Sequence, residues 1–356
     1  MKNILYIVED EESAQFRYRV KNVIEALECS KKWRAEYLVR TRIIEAEKML
    51  SDVDVVVILR QTAKDDKLLD LIKKAHEMNL KVLFDLDDLI FDYRDLLVLM
   101  RSTNSKNILY WAGYFWGIRR VAKRVDGFIC TNDFLARKLK RSFDKPVKVI
   151  RNSLNREQIE ISEKFIKKKK VREIGDRKFT IGYFSGSPTH AKDFGLVEEE
   201  LVRFLNEHKD AVLRVVGEME FSHEMKRWIE GGRVEVSNKV DYLRLQGLEA
   251  RVDVNIAPLV VNDFTNCKSE LKFFEVAVVE TTTIASPTYA FKKAISDGKN
   301  GFLARPGEWY DRLEYLYKNP KKNREVALEA KKYALKHYYG AEFLKEVEEA
   351  YGYFAK

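Results

Sequence analysis

Short apolar, β-branched runs alternate with longer stretches in which apolar residues recur every three to four positions, the pattern of strands and helices taking turns. In the first half, Ile4–Val8, Glu36–Val39, Val53–Leu59, Lys81–Asp85, Gly127–Thr131 and Val147–Ile150 are expected as strands. Between them, Arg17–Leu27, Asp65–Met78 and Phe134–Ser142 each carry one apolar and one charged face and are expected as helices. The alternation restarts at Phe179–Phe184 and continues through Val212–Val216, Val234–Val236, Val252–Ala257 and Thr283–Ser286. Apolar strands separated by amphipathic helices define βαβ units around parallel sheets. The fold class expected is therefore α/β, with two doubly wound units.

The pattern also divides the chain. Residues 1–155 form a first domain and 177–321 a second. Residues 156–176 are polar, carry the run "KKKK" (Lys167–Lys170), and are expected as a linker with a charged helix or arm. Two last helical patterns, Lys322–His337 and Ala341–Phe354, lie in a C-terminal segment, 322–356, expected to pack back on the first domain.

Composition narrows the function classes. Of 356 residues, 65 are Lys or Arg and 56 Asp or Glu, a formal net charge of +9, which favours an anionic partner without naming it. Three cysteines without CxxC spacing argue against a disulfide framework or a thiolate metal site. No leader-like segment opens the chain and no stretch approaches the about 20 apolar residues of a membrane span. A cytoplasmic protein is expected, with the inner face of the membrane as an alternative setting.

The opening "ILYIVEDEE" (Ile4–Glu12) reads locally like the first strand and acidic pair of a phosphorelay receiver. A receiver needs an Asp at the end of its third strand, where this chain has Leu59, Arg60 and Gln61. Arginine cannot accept a phosphoryl group, so that reading is rejected. The first strand of any open α/β sheet looks like this, and its C-terminal end is where polar site residues gather.

Candidate chemistry concentrates in the second half. "IGYFSGSPTHAKDFGLVEEEL" (Ile181–Leu201) is a strand, a Gly/Ser/Pro turn and a helix, with Gly186, Ser187, His190 and Lys192 placed to meet a diphosphate. "NDFTNCKSELKFFEVAVVETTTIASP" (Asn262–Pro287) is expected to start a helix near Lys268, capped by Thr265 or Asn266, with Ser269 in its first turn. Lys268, Lys272 and Glu275 would then share one face. Lys–Glu pairs at such spacing are usually solvated. Here the surrounding apolar residues point to burial, and a buried carboxylate needs donors, which vicinal ribose hydroxyls supply.

These segments resemble retaining GT-B glycosyltransferases of the large family 4 type, the glycosyl transferases group 1. "FFEVAVVETTTIASP" is similar to that family's "LEAMACGTPVIAS", which carries its ribose-binding Glu onto Glu275. "SGSPTHAKDF" is similar to its "GRL…K" turn and carries its diphosphate lysine onto Lys192. "VIRNSL" (Val149–Leu154) and "NIAPL" (Asn255–Leu259) resemble its "VIPNGV" and "DVFVLPS", and a subgroup with "FSGTPTHxxDF" and "KSELKxxE" is nearer still. The resemblance implies two Rossmann-like domains facing a central cleft. It further implies a metal-independent transferase with no cofactor, whose donor is a nucleoside-diphosphate sugar of UDP, GDP or dTDP. The acceptor would be a glycan, lipid-linked or protein-linked, in surface polysaccharide or glycoconjugate synthesis.

The departures are definite. The family's first Glu falls on Cys267, its diphosphate arginine on Ser187, and the Gly and Pro of "CGTP" on Glu280 and Thr282. Lys268 or Lys272 would replace the missing arginine charge.

In the first half, "KVLFDLDDLIFD" (Lys81–Asp92) ends a strand in carboxylates. Clustered carboxylates suit Mg²⁺, but the resemblance implies a metal-independent enzyme, and Asp87 and Asp88 are expected on the acceptor side as the catalytic pair, hydrogen-bonding a sugar hydroxyl with one aiding its deprotonation, and with capping of a following helix as the alternative for either. "YWAGYFWGIRR" (Tyr110–Arg120) is a core helix edge, a glycan platform or a membrane-facing patch. Arg17 and Arg19 would meet an acidic acceptor or pair with Asp10 and Glu11. The rival functions are a non-catalytic basic binder of polyanions or nucleic acid on a degenerate scaffold, and a GT-B sugar-nucleotide epimerase.

Overall fold

The computed structural model describes residues 1–63, 65–172, 178–185 and 191–355. By contact the chain divides into two units. The first contains Met1–Asn155, Asn266–Ser269 and Lys336–Lys356, and the second Arg156–Thr265 and Glu270–Leu335.

The first unit is built on a parallel sheet of β1 (Lys2–Val8), β2 (Trp33–Val39), β3 (Val55–Leu59), β4 (Lys81–Leu86), β5 (Gly127–Cys130) and β6 (Val147–Val149), in the order β2-β1-β3-β4-β5-β6. Every strand expected from the apolar runs is present. β1, β3 and β5 are buried almost throughout because helices cover both faces. Helix Lys67–Glu77 shows how the pattern translates, since Leu68, Leu71, Ile72 and Ala75 fall on one face and are all buried. The C-terminal helix Gly340–Phe354 contributes Phe343, Val347, Ala350, Tyr351 and Phe354 to the same core as β1 and β3. Tyr351 shares a hydrogen bond with Tyr6 on β1. Gly127 is required by this packing, because a Cβ there would stand 2.3 Å from Phe354 Cε1.

The second unit carries β7 (Phe179–Phe184), β8 (Ala211–Val216), β9 (Val234–Ser237), β10 (Val254–Ala257), β11 (Thr282–Ala285) and β12 (Phe302–Leu303), all parallel, in the order β12-β11-β10-β7-β8-β9. The two-residue β12 has no apolar run to announce it. Residues expected as a linker form, over their described part, the helix Arg156–Arg172, which is counted with this unit. Helix Pro320–His337 also lies mostly in this unit, and only from Lys336 onward is the chain counted with the first. Among the described residues no helix is long and apolar enough to cross a membrane.

In each sheet, consecutive strands leave in opposite directions from one point, between β1 and β3 in the first and between β7 and β10 in the second. Ligands of doubly wound sheets bind beyond the carboxyl ends of the strands at such a switch point. That directs attention to the residues following β1, β3 and β4, and to those following β7 and β10.

Candidate active site

In the first unit, β3 runs into Arg60, whose φ of +29° is unusual for a side chain with a Cβ. Its backbone N–H donates to Asp85 O at 3.0 Å. From there Arg60 Nη1 reaches Asp87 Oδ1 and Asp88 Oδ2, both at 3.0 Å, just beyond β4. Lys268 Nζ approaches Asp88 Oδ1 from the other side at 3.1 Å. Burial raises the proton affinity of Asp88, but Lys268 and Arg60 outweigh it and hold the carboxyl below its ordinary range. Neither Asp87 nor Asp88 caps a helix. That role belongs to Asp92, which accepts from Arg94 N at 3.0 Å at the start of the 3-10 turn Tyr93–Asp95.

A second ion pair lies beneath this cluster. Arg19 and Asp85, each about 1% exposed, meet in a two-pronged contact, Nε to Oδ1 at 3.0 Å and Nη2 to Oδ2 at 3.1 Å. Arg19 sits on a π-helical turn, Arg17–Lys21, that interrupts the regular helix expected over Arg17–Leu27. The expected pairing of Arg19 with Asp10 or Glu11 is therefore replaced. Asp10 accepts from Glu12 N at 2.8 Å within its own loop, and Glu11 accepts from Tyr37 Oη at 3.0 Å.

The segment Asn266–Ser269 differs most from expectation. Its backbone does not begin a helix. The Asn132 side chain caps helix Asp133–Phe143 through its oxygen, to Leu135 N at 2.9 Å. Its amide nitrogen donates to the carbonyls of Asn266, Cys267 and Lys268 at 3.3, 3.0 and 3.1 Å. Those carbonyls would otherwise accept the N–H groups of Glu270, Leu271 and Lys272 in a regular helix. With them engaged, the short helix Asp263–Asn266 ends and a separate one runs over Leu271–Ala277. Lys268 thus leaves the face of Lys272 and Glu275 and joins Asp88, and Asn266 contributes a carbonyl to the clasp. Ser269 Oγ accepts from Asn152 Nδ2 at 2.9 Å, and Asn152 Oδ1 accepts in turn from Arg19 Nη1 at 3.2 Å. Cys267 is buried and uncharged where the resemblance has a Glu.

In the second unit, Gly186, Ser187 and His190 lie outside the described residues. Lys192 is exposed on the five-residue helix Ala191–Gly195, which is separate from the longer Glu198–Glu207. Lys272 and Glu275 stand three residues apart on Leu271–Ala277, one turn along the same helix. Lys272 Nζ is 5.2 Å from the ring centroid of Tyr183 near the end of β7, which brings it to the switch point. Glu275 is only 5% exposed, amid Phe273, Phe274, Val276 and Ala277, and Gln158 Nε2 reaches its Oε1 at 3.4 Å. Sequence reasoning did not find Gln158, Arg60, Asn132 or Asn152. For Arg60 the signal was present, a charged residue ending an apolar strand.

Glu280 stands where the resemblance has a glycine, and the structure shows why glycine fits. Its φ is +55°, the left-handed region, at the turn closing Leu271–Ala277. Its side chain pairs with Lys331 at 3.2 Å. Comparing two substitutions isolates the backbone cost, since both remove that pair. Glu280→Ala should be less stable than Glu280→Gly by about 1 kcal/mol in urea unfolding, and equal stabilities would disprove strain at this turn.

Among the described residues no group of three or more His, Cys, Asp or Glu side chains is arranged to hold a metal ion. Asp85 on β4 pairs with Arg19, and Asp87 and Asp88 just beyond it pair with Arg60 and Lys268.

The two parallel six-stranded Rossmann-like sheets are those of the GT-B fold. The family model described as glycosyl transferases group 1 matches residues 178–319. Among solved structures, HepE of Anabaena in complex with UDP-glucose is similar at a TM-score of 0.66 and 13% identity, over 99% of this chain and 100% of that one. Sucrose-phosphate synthase from Thermosynechococcus elongatus is similar at 0.64 and 14%, over 99% of each chain. WaaG, a glycosyltransferase involved in lipopolysaccharide biosynthesis, is similar at 0.64 and 11%, over 98% and 100%. A search of curated protein sequences found no match. The family match on the second unit and the shared fold together support a GT-B glycosyltransferase.

Proposed function

We propose that the chain is a retaining, metal-independent glycosyltransferase that moves a sugar from a nucleoside-diphosphate sugar to a glycan, lipid-linked or protein-linked acceptor. The observation that carries this reading is the buried carboxylate of Glu275, one helical turn from Lys272, in the region matched by the family model. A carboxylate can accept from two neighbouring hydroxyls at once, as a ribose offers, and charge-assisted bonds of this kind are strong and directional. Lys272 and Lys192 would neutralise the diphosphate. In the transfer step the bond from the anomeric carbon to the diphosphate oxygen breaks through an oxocarbenium-like state. The acceptor oxygen bonds to the same face, and its proton passes to the departing diphosphate.

Asp87 and Asp88 are assigned to the acceptor. Because Asp88 is held ionised by two cations, it suits accepting a hydrogen bond from a sugar hydroxyl better than taking its proton, which needs a base matched to the working pH. Asp88→Asn should lower transfer about tenfold, the worth of one charge-assisted hydrogen bond, while sparing nucleotide binding. A folded pKa below the unfolded one keeps the group ionised wherever the unfolded carboxyl is, so wild-type transfer should show no step from Asp88 between about pH 5 and 9. Full activity in both Asp87→Asn and Asp88→Asn would remove the pair from the mechanism. The proposal as a whole is tested by thermal shift with UDP, GDP and dTDP, followed by a hydrolysis screen of nucleotide sugars. If no nucleoside diphosphate stabilises the protein and DNA binds it in a salt-sensitive way, the polyanion-binding alternative replaces the transferase.

A further inference from the structure

The second unit contains a cavity of about 510 Å³ beside the starts of β7 and β8, while Lys272 reaches Tyr183 near the end of β7. Its floor is Thr180 near the start of β7 with Val212 and Arg214 on β8, and its walls come from helices Arg156–Arg172 and Tyr242–Glu249. Among the described residues five cations line it, Lys168, Lys169, Lys178, Arg214 and Arg251, against one carboxylate, Glu235. Two of the five have structural duties. Arg214 pairs with Glu235 at 2.7 Å, and Lys169 Nζ donates to Glu280 O at 2.6 Å and Thr281 Oγ1 at 3.0 Å. Lys168, Lys178 and Arg251 make no ion pair among the described residues.

Three like charges gathered around one concavity, without carboxylates among the described residues to match them, repel one another and focus a positive potential inside it. All three side chains are exposed to solvent at the cavity's mouth. Here they come from three separate segments, the helix end, the approach to β7 and the loop after Tyr242–Glu249, and converge on one volume in the usual range for small ligands. Phe165 adds an aromatic wall beside Gly247, where a Cβ would stand 2.7 Å from its ring. The cavity is therefore cationic on one side and apolar on the other.

We propose that this cavity is a second anion site, taking a phosphorylated ligand at the amino ends of the strands, apart from the donor residues at their carboxyl ends. The phosphate is carried by a soluble ester or by a lipid headgroup. Inorganic pyrophosphate is the probe, titrated calorimetrically at fixed ionic strength into the full chain, its Lys168→Gln/Lys178→Gln/Arg251→Gln variant and its Lys272→Ala variant. Lys168, Lys178 and Arg251 can be changed without disturbing an ion pair among the described residues, and circular dichroism checks the folding of both variants. Affinity should fall at least about tenfold in the triple variant and persist in Lys272→Ala. Equal binding by wild type and triple variant overturns the site, as does absence of binding to wild type. Loss in Lys272→Ala alone assigns the pyrophosphate to the donor side and likewise overturns it. Sedimentation with phosphatidylcholine vesicles, with and without phosphatidic acid, separates the sources. Retention that requires phosphatidic acid and is lost in the triple variant identifies a lipid phosphate, and pyrophosphate binding without retention identifies a soluble one.

Discussion

Glu275→Ala should abolish stabilisation of the protein by its nucleoside diphosphate, with a loss of affinity of at least about 100-fold. The size follows from the chemistry proposed for the group. Two hydroxyls donating to one carboxylate make charge-assisted bonds of about 1.5–3 kcal/mol each, and each 1.4 kcal/mol is tenfold in affinity. Glu275→Gln keeps one acceptor oxygen and loses the charge, so it should fall between wild type and alanine. The side chain also meets Gln158 within the unit, so a general loss of structure must be separated from a loss of contact. Far-ultraviolet circular dichroism and the unliganded melting temperature provide that separation. A well-folded Glu275→Ala protein that still gains the full thermal shift would detach this carboxylate from the nucleotide. Asp88→Asn, on the first unit, is the matched control because it should alter transfer and leave that shift intact.

The strands were legible because the signal for a buried parallel strand is local. A run such as "DVVVIL" has no other comfortable place than between two helical layers, and β3 lies where the run does. β12 escaped because two residues make no run. The candidate site was legible only where one residue's environment follows from its neighbours. Glu275 lies in an apolar stretch, and it is buried together with its sequence neighbours Phe273, Phe274, Val276 and Ala277. Lys268 was misplaced for the opposite reason. Its position depends on the Asn132 amide, more than a hundred residues earlier, occupying three carbonyls that helix geometry would have used. Arg19 is a similar case. Glu12 on the opening loop and Glu25 are the carboxylates near it in sequence, yet the partner is Asp85 on β4, reached through a π-helical turn that side-chain periodicity does not encode. Glu280 shows a third kind of legibility, since its mismatch with a glycine marked a turn where the backbone takes a positive φ.

Asp85→Ala should destabilise the first unit by about 3–5 kcal/mol, the cost of leaving a buried charge without its partner. Arg19 would then keep Asn152 Oδ1 at 3.2 Å and the Ile150 carbonyl, neither of which carries a compensating charge. Replacing both partners, as Arg19→Met with Asp85→Leu, should recover much of that loss, because apolar side chains of similar volume avoid the desolvation of both ions. Acidity gives an independent signature. Burial pushes the Asp85 carboxyl up to about 6, against the opposing pull of Arg19. An acid whose folded pKa exceeds its unfolded value near about 3.9 binds its proton more tightly when folded. Its contribution is complete below about pH 4 and is lost as the pH rises through about 6. Asp85→Asn should therefore flatten the pH dependence of unfolding free energy across that window. The pair also reaches the candidate site, since Arg19 holds Asn152 and Asn152 holds Ser269. Loosening Arg19 should accordingly disturb the segment that presents Lys268 to Asp88, so Asp85→Asn should lower transfer even at temperatures where the protein remains folded. Urea unfolding from pH 4 to 8, run beside transfer assays on the same preparations, measures both effects. A variant as stable and as active as wild type throughout would show that the buried pair supports neither the fold nor the site.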